Sequence, residues 1–289
     1  MSPADLRDAT VGSLWRYPVK SMAGERLDAA ELRAQGLLGD RAFALVDRHD
    51  GKVATAKNPR KWPSLFHFAA SLGGRAPADG RAGVPPVVVT LPDGTSVRHG
   101  HPGADERLSQ ALGREVLLRQ AGSPEVQVVG TASARPWVAR SEELQLDFDG
   151  RGGDGVVADF ELPEGTFFDA APVHLLTTAS LARLQQLHPA GQMAIRRFRP
   201  NVVVDTGGLA PGFVEDAWVG RTLRLGAAVR LAVTQRCVRC VMTTLPQGGL
   251  PKDSGVLRTA AQHNDVCVGV YAGVLSGGLV RSGDRVTLE

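Results

Sequence analysis

Short runs of alternating apolar and polar residues, separated by turn residues, make up most of the chain. Six such runs predict strands or strand pairs: VGSLWRYPV (11–19), RAFALVDRHDGKVATA (41–56), PPVVVTLPDGTSVRHG (85–100), TLRLGAAVRLAVT (222–234), VCVGVYAGVL (266–275) and DRVTLE (284–289). The second and third runs read as hairpins that turn at His49-Asp50-Gly51 and Pro92-Asp93-Gly94. The even spacing of strands and turns predicts a mainly β chain of barrels or sandwiches, not a doubly wound sheet.

Helical spacing of apolar residues is confined to three segments. They are ADERLSQALG (104–113), TTASLARLQQLHP (177–189) and SGVLRTAAQHN (254–264). Gly113 is the expected end of the first, and Pro189 stops the second, which a threonine N-cap begins. Between residues 120 and 167 the periodicity is lost in a stretch rich in glycine and acidic residues, which predicts a domain boundary or a long loop over a site.

Composition restricts the classes of partner. Hydrophobic residues make up 43% of the 289 and charged residues 22%, which is typical of a globular protein. Aromatic residues make up only 5% and the net charge is +3, so neither base stacking nor polyanion binding is predicted. Four of the five lysines lie before residue 62, and the segment RRFRPN (196–201) groups three arginines, which favours small anionic ligands. There is no apolar run of membrane-spanning length and no signal-peptide pattern, and the three cysteines fit a reducing cytoplasm.

The segment TQRCVRCVMTT (234–244) carries two cysteines three residues apart, Cys237 and Cys240. With His263 and Cys267 they provide four candidate zinc ligands. A dithiol redox pair is a second interpretation, although the pair follows a strand instead of beginning a helix. A third is one thiolate that binds a metal-bearing cofactor, since the flanking arginines favour the anion. Two structural cysteines remain the simplest alternative.

Five segments, read in order, resemble the MOSC proteins: LWRYPVKS (14–21), GLLGDRAFALVD (36–47), FRPNVVV (198–204), RCVMTT (239–244) and GVYAGVLSGGLVRSGDRV (269–286). The chain is most similar to the class with an N-terminal MOSC β-barrel domain, to which the mitochondrial amidoxime-reducing component and its bacterial relatives belong. The resemblance implies a mainly β fold with some α, formed by an N-terminal MOSC β-barrel domain (8–125), a connecting loop region (126–165) and a MOSC domain (166–289). It places a cofactor in the cleft between the two domains.

That cofactor is the molybdenum cofactor, a pyranopterin whose metal takes one cysteine from the protein. The resemblance implies Cys240 as the metal ligand and leaves Cys237 as a second sulfur without a role. The residues implied to hold the pterin and its phosphate are Lys20, Ser21, Arg41, Arg199, Asn201 and Thr243. Arg239 would help to keep Cys240 ionised, and Asp169 would transfer a proton or orient substrate. Where the family often carries hydroxyl residues after this aspartate, the chain has Ala170 and Ala171.

The implied reaction is two-electron reduction of N-oxygenated, especially N-hydroxylated, substrates by oxygen-atom transfer to molybdenum. The sequence contains no cysteine spacing typical of a ferredoxin-like domain, so we expect a separate electron-donor protein. We further expect a cytoplasmic monomer that binds neither nucleic acid nor membrane. The alternative function is a sulfur carrier that uses a persulfide on the same cysteine for metal–sulfur cluster or cofactor assembly. A third is a module that binds or stores the cofactor without turnover.

Overall fold

A computed structural model of the chain describes residues 6–74, 83–122, 138–145, 155–163 and 166–289. In these residues the strands are β1 (Thr10–Arg16), β2 (Glu25–Leu27), β3 (Ala29–Arg33), β4 (Gly36–Leu37), β5 (Phe43–Asp47), β6 (Ala69–Leu72), β7 (Val87–Thr90), β8 (Ser96–Arg98), β9 (Val116–Gln120), β10 (Arg140–Gln145), β11 (Val156–Glu161), β12 (Val173–Thr177), β13 (Val202–Asp205), β14 (Thr222–Leu225), β15 (Val229–Val238), β16 (Cys267–Ser276), β17 (Gly278–Arg281) and β18 (Val286–Leu288). The α-helices are α1 (Ala104–Leu112), α2 (Thr178–Leu187), α3 (Ile195–Phe198) and α4 (Gly255–Asn264), and short 3-10 helices lie at Leu65–His67, Val214–Trp218 and Val241–Thr244.

Most of the predicted elements are confirmed. The hairpin at Pro92-Asp93-Gly94 is formed by β7 and β8, and the run 222–234 forms the antiparallel pair β14 and β15. At the other predicted hairpin, His49-Asp50-Gly51, the two sides of the turn are joined by a single antiparallel bridge between Val46 and Val53. The predicted class, mainly β with a few helices, is confirmed. Within the described segments, none of the helices has the length and apolar character that crossing a membrane requires.

The helix ends follow from local chemistry. Gly113 ends α1 in the left-handed conformation (φ +66°), which costs glycine little because it has no Cβ. Thr177 is the N-cap of α2, and its side chain accepts a hydrogen bond from the Ser180 backbone N–H.

The chain divides into two compact units, and the first takes three separate stretches: 6–16, 26–38 and 171–289 among the described residues. Its main sheet has the strand order β18-β14-β15-β16-β12-β13-β1-β2. β12 and β13 are parallel, whereas β13 and β1, and all pairs from β18 to β12, are antiparallel. Hydrogen bonds from Val11 N to Asp284 O (2.8 Å) and from Val286 N to Ala9 O (2.9 Å) join β1 to the last strand. The sheet therefore closes on itself as a barrel.

The apolar core of this unit lies inside the closed sheet. Buried residues alternate with exposed ones along β14 and β15, as expected when one face of a strand packs on the core. Val11 and Leu14 of β1 pack in the same cluster as Trp218, Leu223 and many other residues of the C-terminal half. A second cluster between the helices and the sheet includes Leu184, Phe198, Val256 and Val268.

The second unit comprises residues 17–25 and the described residues of 39–170. It contains the antiparallel pairs β5–β9 and β10–β11, the three-stranded sheet β6-β7-β8 and helix α1. The strands β10 and β11 fall in the segment predicted as a connecting loop region, of which residues 126–137, 146–154 and 164–165 lie outside the described residues. The domain boundaries drawn from the sequence stay predictions.

Candidate functional site

Cys240 lies between the end of β15 and the 3-10 helix Val241–Thr244, whose N-cap it forms in an extended conformation. The Thr243 hydroxyl donates to the Cys240 carbonyl (3.0 Å) and the Thr244 hydroxyl to the Val241 carbonyl (2.7 Å). Both threonines thus stabilise the turn that follows the cysteine. Of the three cysteines in the chain, Cys237 and Cys267 are buried, whereas Cys240 is partly exposed. Cys240 is therefore the most exposed of the three cysteines.

Arg239 contacts the other cysteine of the pair. Its Nη1 donates to Cys237 Sγ at 2.7 Å and its Nη2 to the Phe198 carbonyl at 2.8 Å. Loss of solvent on its own would lower the pKa of the guanidinium, but Cys237, Tyr271 and Cys240 raise that pKa above its usual value. Arg239 therefore remains a cation next to Cys240. Cys237, to which the sequence assigned no role, is the hydrogen-bond acceptor that holds this arginine.

Arg199 and Asn201 follow helix α3 and are both buried. Arg199 ends the helix in the left-handed conformation (φ +54°). The Asn201 side chain accepts a hydrogen bond from His174 N (3.1 Å) and donates to the Trp15 carbonyl (3.4 Å). Asn201 thus connects the backbones of β12 and β1. The predicted contacts of Arg199, Asn201 and Thr243 with a cofactor stay predictions.

In the second unit, Lys20 and Asp169 form an ion pair. Lys20 is buried, and its Nζ also donates to the Phe167 carbonyl at 3.0 Å. A second ammonium group, Lys57 Nζ, lies 3.4 Å from the other Asp169 oxygen. Burial alone would raise the pKa of the Asp169 carboxyl, but Lys20 and Lys57 hold it well below the usual range. Burial lowers the pKa of Lys20, which Asp169 partly opposes. Asp169 is therefore a carboxylate between two ammonium groups.

Arg41 and Ser21 lie in the same unit and are held by neighbouring groups. Arg41 forms an ion pair with buried Asp40, whose other oxygen accepts a hydrogen bond from Tyr17 N (2.7 Å). Its guanidinium carbon also lies 4.6 Å from the centroid of the Tyr17 ring. Ser21 Oγ accepts a hydrogen bond from Ala56 N (3.0 Å). A serine hydroxyl that accepts a hydrogen bond in this way can still donate its own proton.

Backbone strain is concentrated at the predicted residues. Among the described residues, five that are not glycine have a positive φ, and three of them are Ser21 (+63°), Arg41 (+47°) and Arg199 (+54°). The other two, Asp265 and Val266, follow α4, and the Val266 carbonyl accepts a hydrogen bond from Arg239 N (2.9 Å). Such conformations cost free energy in L-residues and cluster at functional sites. Four of the five are thus in the predicted set or hydrogen-bonded to a member of it.

The four-ligand zinc site is not formed. Among the residues that the structure describes, no three His, Cys, Asp or Glu side chains form a group that could hold a metal ion. Cys237 Sγ is engaged by Arg239, and Cys267 Sγ donates to the Asp265 carbonyl (3.4 Å). Burial raises the pKa of the Cys267 thiol, which therefore stays protonated.

Two residues of these groups, Lys57 and Arg197, were not predicted as site residues from the sequence. Lys57 belongs to the early lysine cluster, but its pairing with Asp169 depends on the fold. Arg197 belongs to the RRFRPN segment and is fully buried.

An open cavity of about 540 Å³ lies in another part of the second unit. It is lined by Asp47, Arg48, His49, Arg114 and Glu115, none of which was predicted as a site residue.

Comparisons with known proteins match both halves of the chain to families. Residues 8–97 match the MOSC N-terminal beta barrel domain and residues 163–287 the MOSC domain. The mitochondrial amidoxime reducing component 2 of Bos taurus is 28% identical over 297 residues, and that of Homo sapiens is 27% identical over 298; each alignment covers 96% of this chain and 82% of the relative. The crystal structure of the YuaD protein from Bacillus subtilis aligns with 97% of this chain and 94% of its own, at 11% identity and a TM-score of 0.46. The two family matches show that the chain belongs to the MOSC family, in the class that carries an N-terminal MOSC β-barrel domain.

Proposed function

We propose that this protein is a molybdenum-cofactor-dependent oxidoreductase that reduces N-hydroxylated compounds. The observation that carries the proposal is that Cys240 is the partly exposed cysteine and lies next to a cationic arginine. A thiolate beside a fixed positive charge is a good ligand for a soft metal. The names of the relatives, amidoxime reducing components, supply the substrate class.

The residues present fit the cofactor in charge and in chemistry. Cys240 would bind the metal, and one cysteine ligand leaves coordination positions for a substrate, as catalytic metal sites require. Arg199, which is buried and conformationally strained, would meet an anionic group of the pterin. In the second unit Lys20, Arg41 and the Ser21 hydroxyl would serve the phosphate. When bound, the cofactor supplies two-electron oxygen-atom transfer.

Asp169 would orient ligands rather than carry a proton. Its lowered pKa keeps it ionised at neutral pH, and a general acid needs a pKa near the working pH. Its two oxygens face Lys20 and Lys57, so the carboxylate fixes both ammonium groups. An anionic ligand that approached the same ammonium groups would compete with this carboxylate for them. Electrons are proposed to come from a separate donor protein.

The test compares wild-type protein with Cys240→Ser and Cys267→Ser. Molybdenum and pterin are measured per chain, and benzamidoxime reduction is measured with an artificial reductant. Cys240→Ser should lower both by about 100-fold or more, since even outer partners of metal ligands change affinity by 10- to 100-fold. Cys267→Ser replaces a buried thiol that donates only to a backbone carbonyl, and it should retain both.

Other outcomes would overturn the proposal in identifiable ways. Zinc at one per chain without pterin would show a metal protein of another kind. A persulfide on Cys240 without molybdenum would support the sulfur-carrier alternative. Stoichiometric molybdenum without turnover of any N-hydroxylated compound would leave a cofactor-binding module.

A further inference from the structure

Arg197 is a buried cation that binds backbone carbonyl groups. Its side chain is fully buried. Its Nε donates to the Gln192 carbonyl (2.9 Å), Nη1 to those of Thr243 (3.2 Å) and Leu245 (3.4 Å), and Nη2 to that of Pro251 (2.8 Å). Four of the five N–H donors of a guanidinium are therefore used on backbone oxygens.

A buried charge is unfavourable unless it is compensated. Among the described residues, no carboxylate forms an ion pair with Arg197, and Asp253 acts on it only at longer range. Burial lowers the pKa of this guanidinium, which Asp253 opposes. An arginine is nonetheless a cation at any physiological pH, so the carbonyl oxygens are its compensation. A buried polar network whose hydrogen bonds are satisfied in this way makes the surrounding backbone rigid.

Two of the carbonyls that Arg197 binds, those of Thr243 and Leu245, lie at the end of the turn that follows Cys240. Cys240 is the N-cap of the 3-10 helix Val241–Thr244, and Thr243 and Leu245 lie at its C-terminal end. The last carbonyls of a helix have no partner within it, and a cation is a favourable partner for them. Arg197 thus closes the end of the turn that Cys240 begins. Its hydrogen bond to the Pro251 carbonyl also attaches the loop that follows the turn.

The same short helix, α3, also holds the residue before Cys240. The carbonyl of Phe198, next to Arg197, accepts the hydrogen bond from Arg239 Nη2 at 2.8 Å. The turn after Cys240 and the arginine before it are therefore both bonded to residues 197 and 198. A shift of α3 would move the two sides of Cys240 together.

We propose that Arg197 is a positioning residue, which holds the Arg239–Thr244 segment in the conformation that presents the Cys240 thiol. The inference rests on the proposed function only for the use made of that thiol. It predicts that loss of the guanidinium releases the turn and changes how Cys240 is presented, with or without a cofactor.

The experiment measures the alkylation rate of Cys240 by iodoacetamide in cofactor-free full-length protein, with peptide mass spectrometry to separate the three cysteines. Arg197→Met should change the rate by about tenfold or more, because each hydrogen bond to a charged group is worth about a factor of ten. Arg197→Lys should give a smaller change in the same direction, since its ammonium can still bind some, but not all, of the carbonyls that the planar guanidinium binds.

Two control variants separate positioning from general loss of stability. Arg196→Met removes the neighbouring exposed arginine, which makes one bond to the Gly248 carbonyl (2.5 Å), and should change the rate by less than about twofold. Leu223→Ala leaves a cavity in the barrel core and lowers global stability, but should not change the rate well below its own unfolding temperature.

An alkylation rate for Arg197→Met equal to that of wild type or of Leu223→Ala would overturn the inference. If Arg197→Met does not fold, Arg197→Lys is judged by the same comparison. The rate does not depend on molybdenum. A changed rate in a protein that never binds molybdenum would therefore sink the proposed function and leave this inference standing. Conversely, the proposed function is tested separately by measuring molybdenum per chain in the same variants after cofactor has been supplied.

Discussion

At the scale of single residues, the pair Arg239 and Cys237 departs most from what the spacing of the cysteines suggested. The buried sulfur of Cys237 accepts a hydrogen bond from Arg239, and Cys240, three residues later, is partly exposed. One cysteine of the pair therefore fixes the arginine, and the other is the one that reaches the surface. This division of roles needs both residues of the Cys-x-x-Cys segment, although only one of them would bind metal.

The role of Cys237 can be tested by comparing Cys237→Ala with Cys237→Ser. Alanine leaves Arg239 Nη1 without its acceptor in a poorly solvated place, so the free energy of unfolding should fall by about 1–3 kcal/mol. Serine retains an acceptor oxygen and should lose less. Urea unfolding of the three proteins measures both effects. Equal losses would mean that the hydrogen bond contributes nothing and that only the volume of the sulfur matters.

At the scale of elements, a buried carboxyl group connects helix α2 to the 3-10 helix Val214–Trp218. Glu215 Oε2 accepts hydrogen bonds from the hydroxyls of Thr177 and Ser180, both at 2.6 Å, and Thr177 is the N-cap of α2. Glu215 is fully buried, and its other oxygen has no hydrogen-bond partner among the described residues. Burial raises the pKa of this carboxyl above its ordinary value of 4.5, which the two hydroxyls partly oppose.

This raised pKa predicts a pH dependence of stability. The folded protein holds the Glu215 proton more tightly than the unfolded chain does. The contribution of protonated Glu215 to the free energy of unfolding is therefore complete below about pH 4.5. It is lost as the pH rises through the higher pKa of the folded state. Glu215→Gln removes this ionisation, so between about pH 5 and 8 its free energy of unfolding should fall less with pH than that of wild type.

Chemical denaturation across that pH range measures how the free energy of unfolding changes with pH. Glu115→Gln, at an exposed residue, is the matched control. The control should follow wild type, because its side chain is mostly in solvent. A Glu215→Gln slope identical to that of wild type would show that Glu215 does not titrate in this range.

At the scale of the whole molecule, the first strand completes a barrel made mostly from the last third of the chain. β1 pairs with β13 on one side and is joined to residues 284–286 on the other. Without it, both neighbours become sheet edges with unpaired backbone groups, and the core loses Val11 and Leu14.

We therefore predict that residues 171–289 alone do not fold cooperatively. A shortened chain in which short linkers replace residues 17–25 and 39–170 should fold, because it retains every stretch of the first unit. The linker from Leu38 to Ala171 is feasible because Gly36 packs directly against Pro172. Thermal unfolding followed by circular dichroism compares the two. A sharp transition for residues 171–289 alone would contradict the prediction.

Elements whose causes are local could be predicted from the amino-acid sequence. Gly113 at the end of α1, Thr177 at the start of α2 and the turn at Pro92-Asp93-Gly94 depend on neighbours a few residues away. For the same reason the alternation along β14 and β15 indicated which residues would be buried. Five short motifs were enough to indicate the family, which the comparisons confirm.

Contacts between residues far apart in the sequence became known only from the folded chain. Lys20 and Asp169 are 149 residues apart in sequence, and Arg197 reaches carbonyls 46 to 54 residues away. No local pattern reports such contacts, because their free energy comes from burial and from partners that the folded backbone brings together. The same holds for the two cysteines. Their spacing left four interpretations open, and the burial of Cys237 against Arg239 separated its role from that of Cys240.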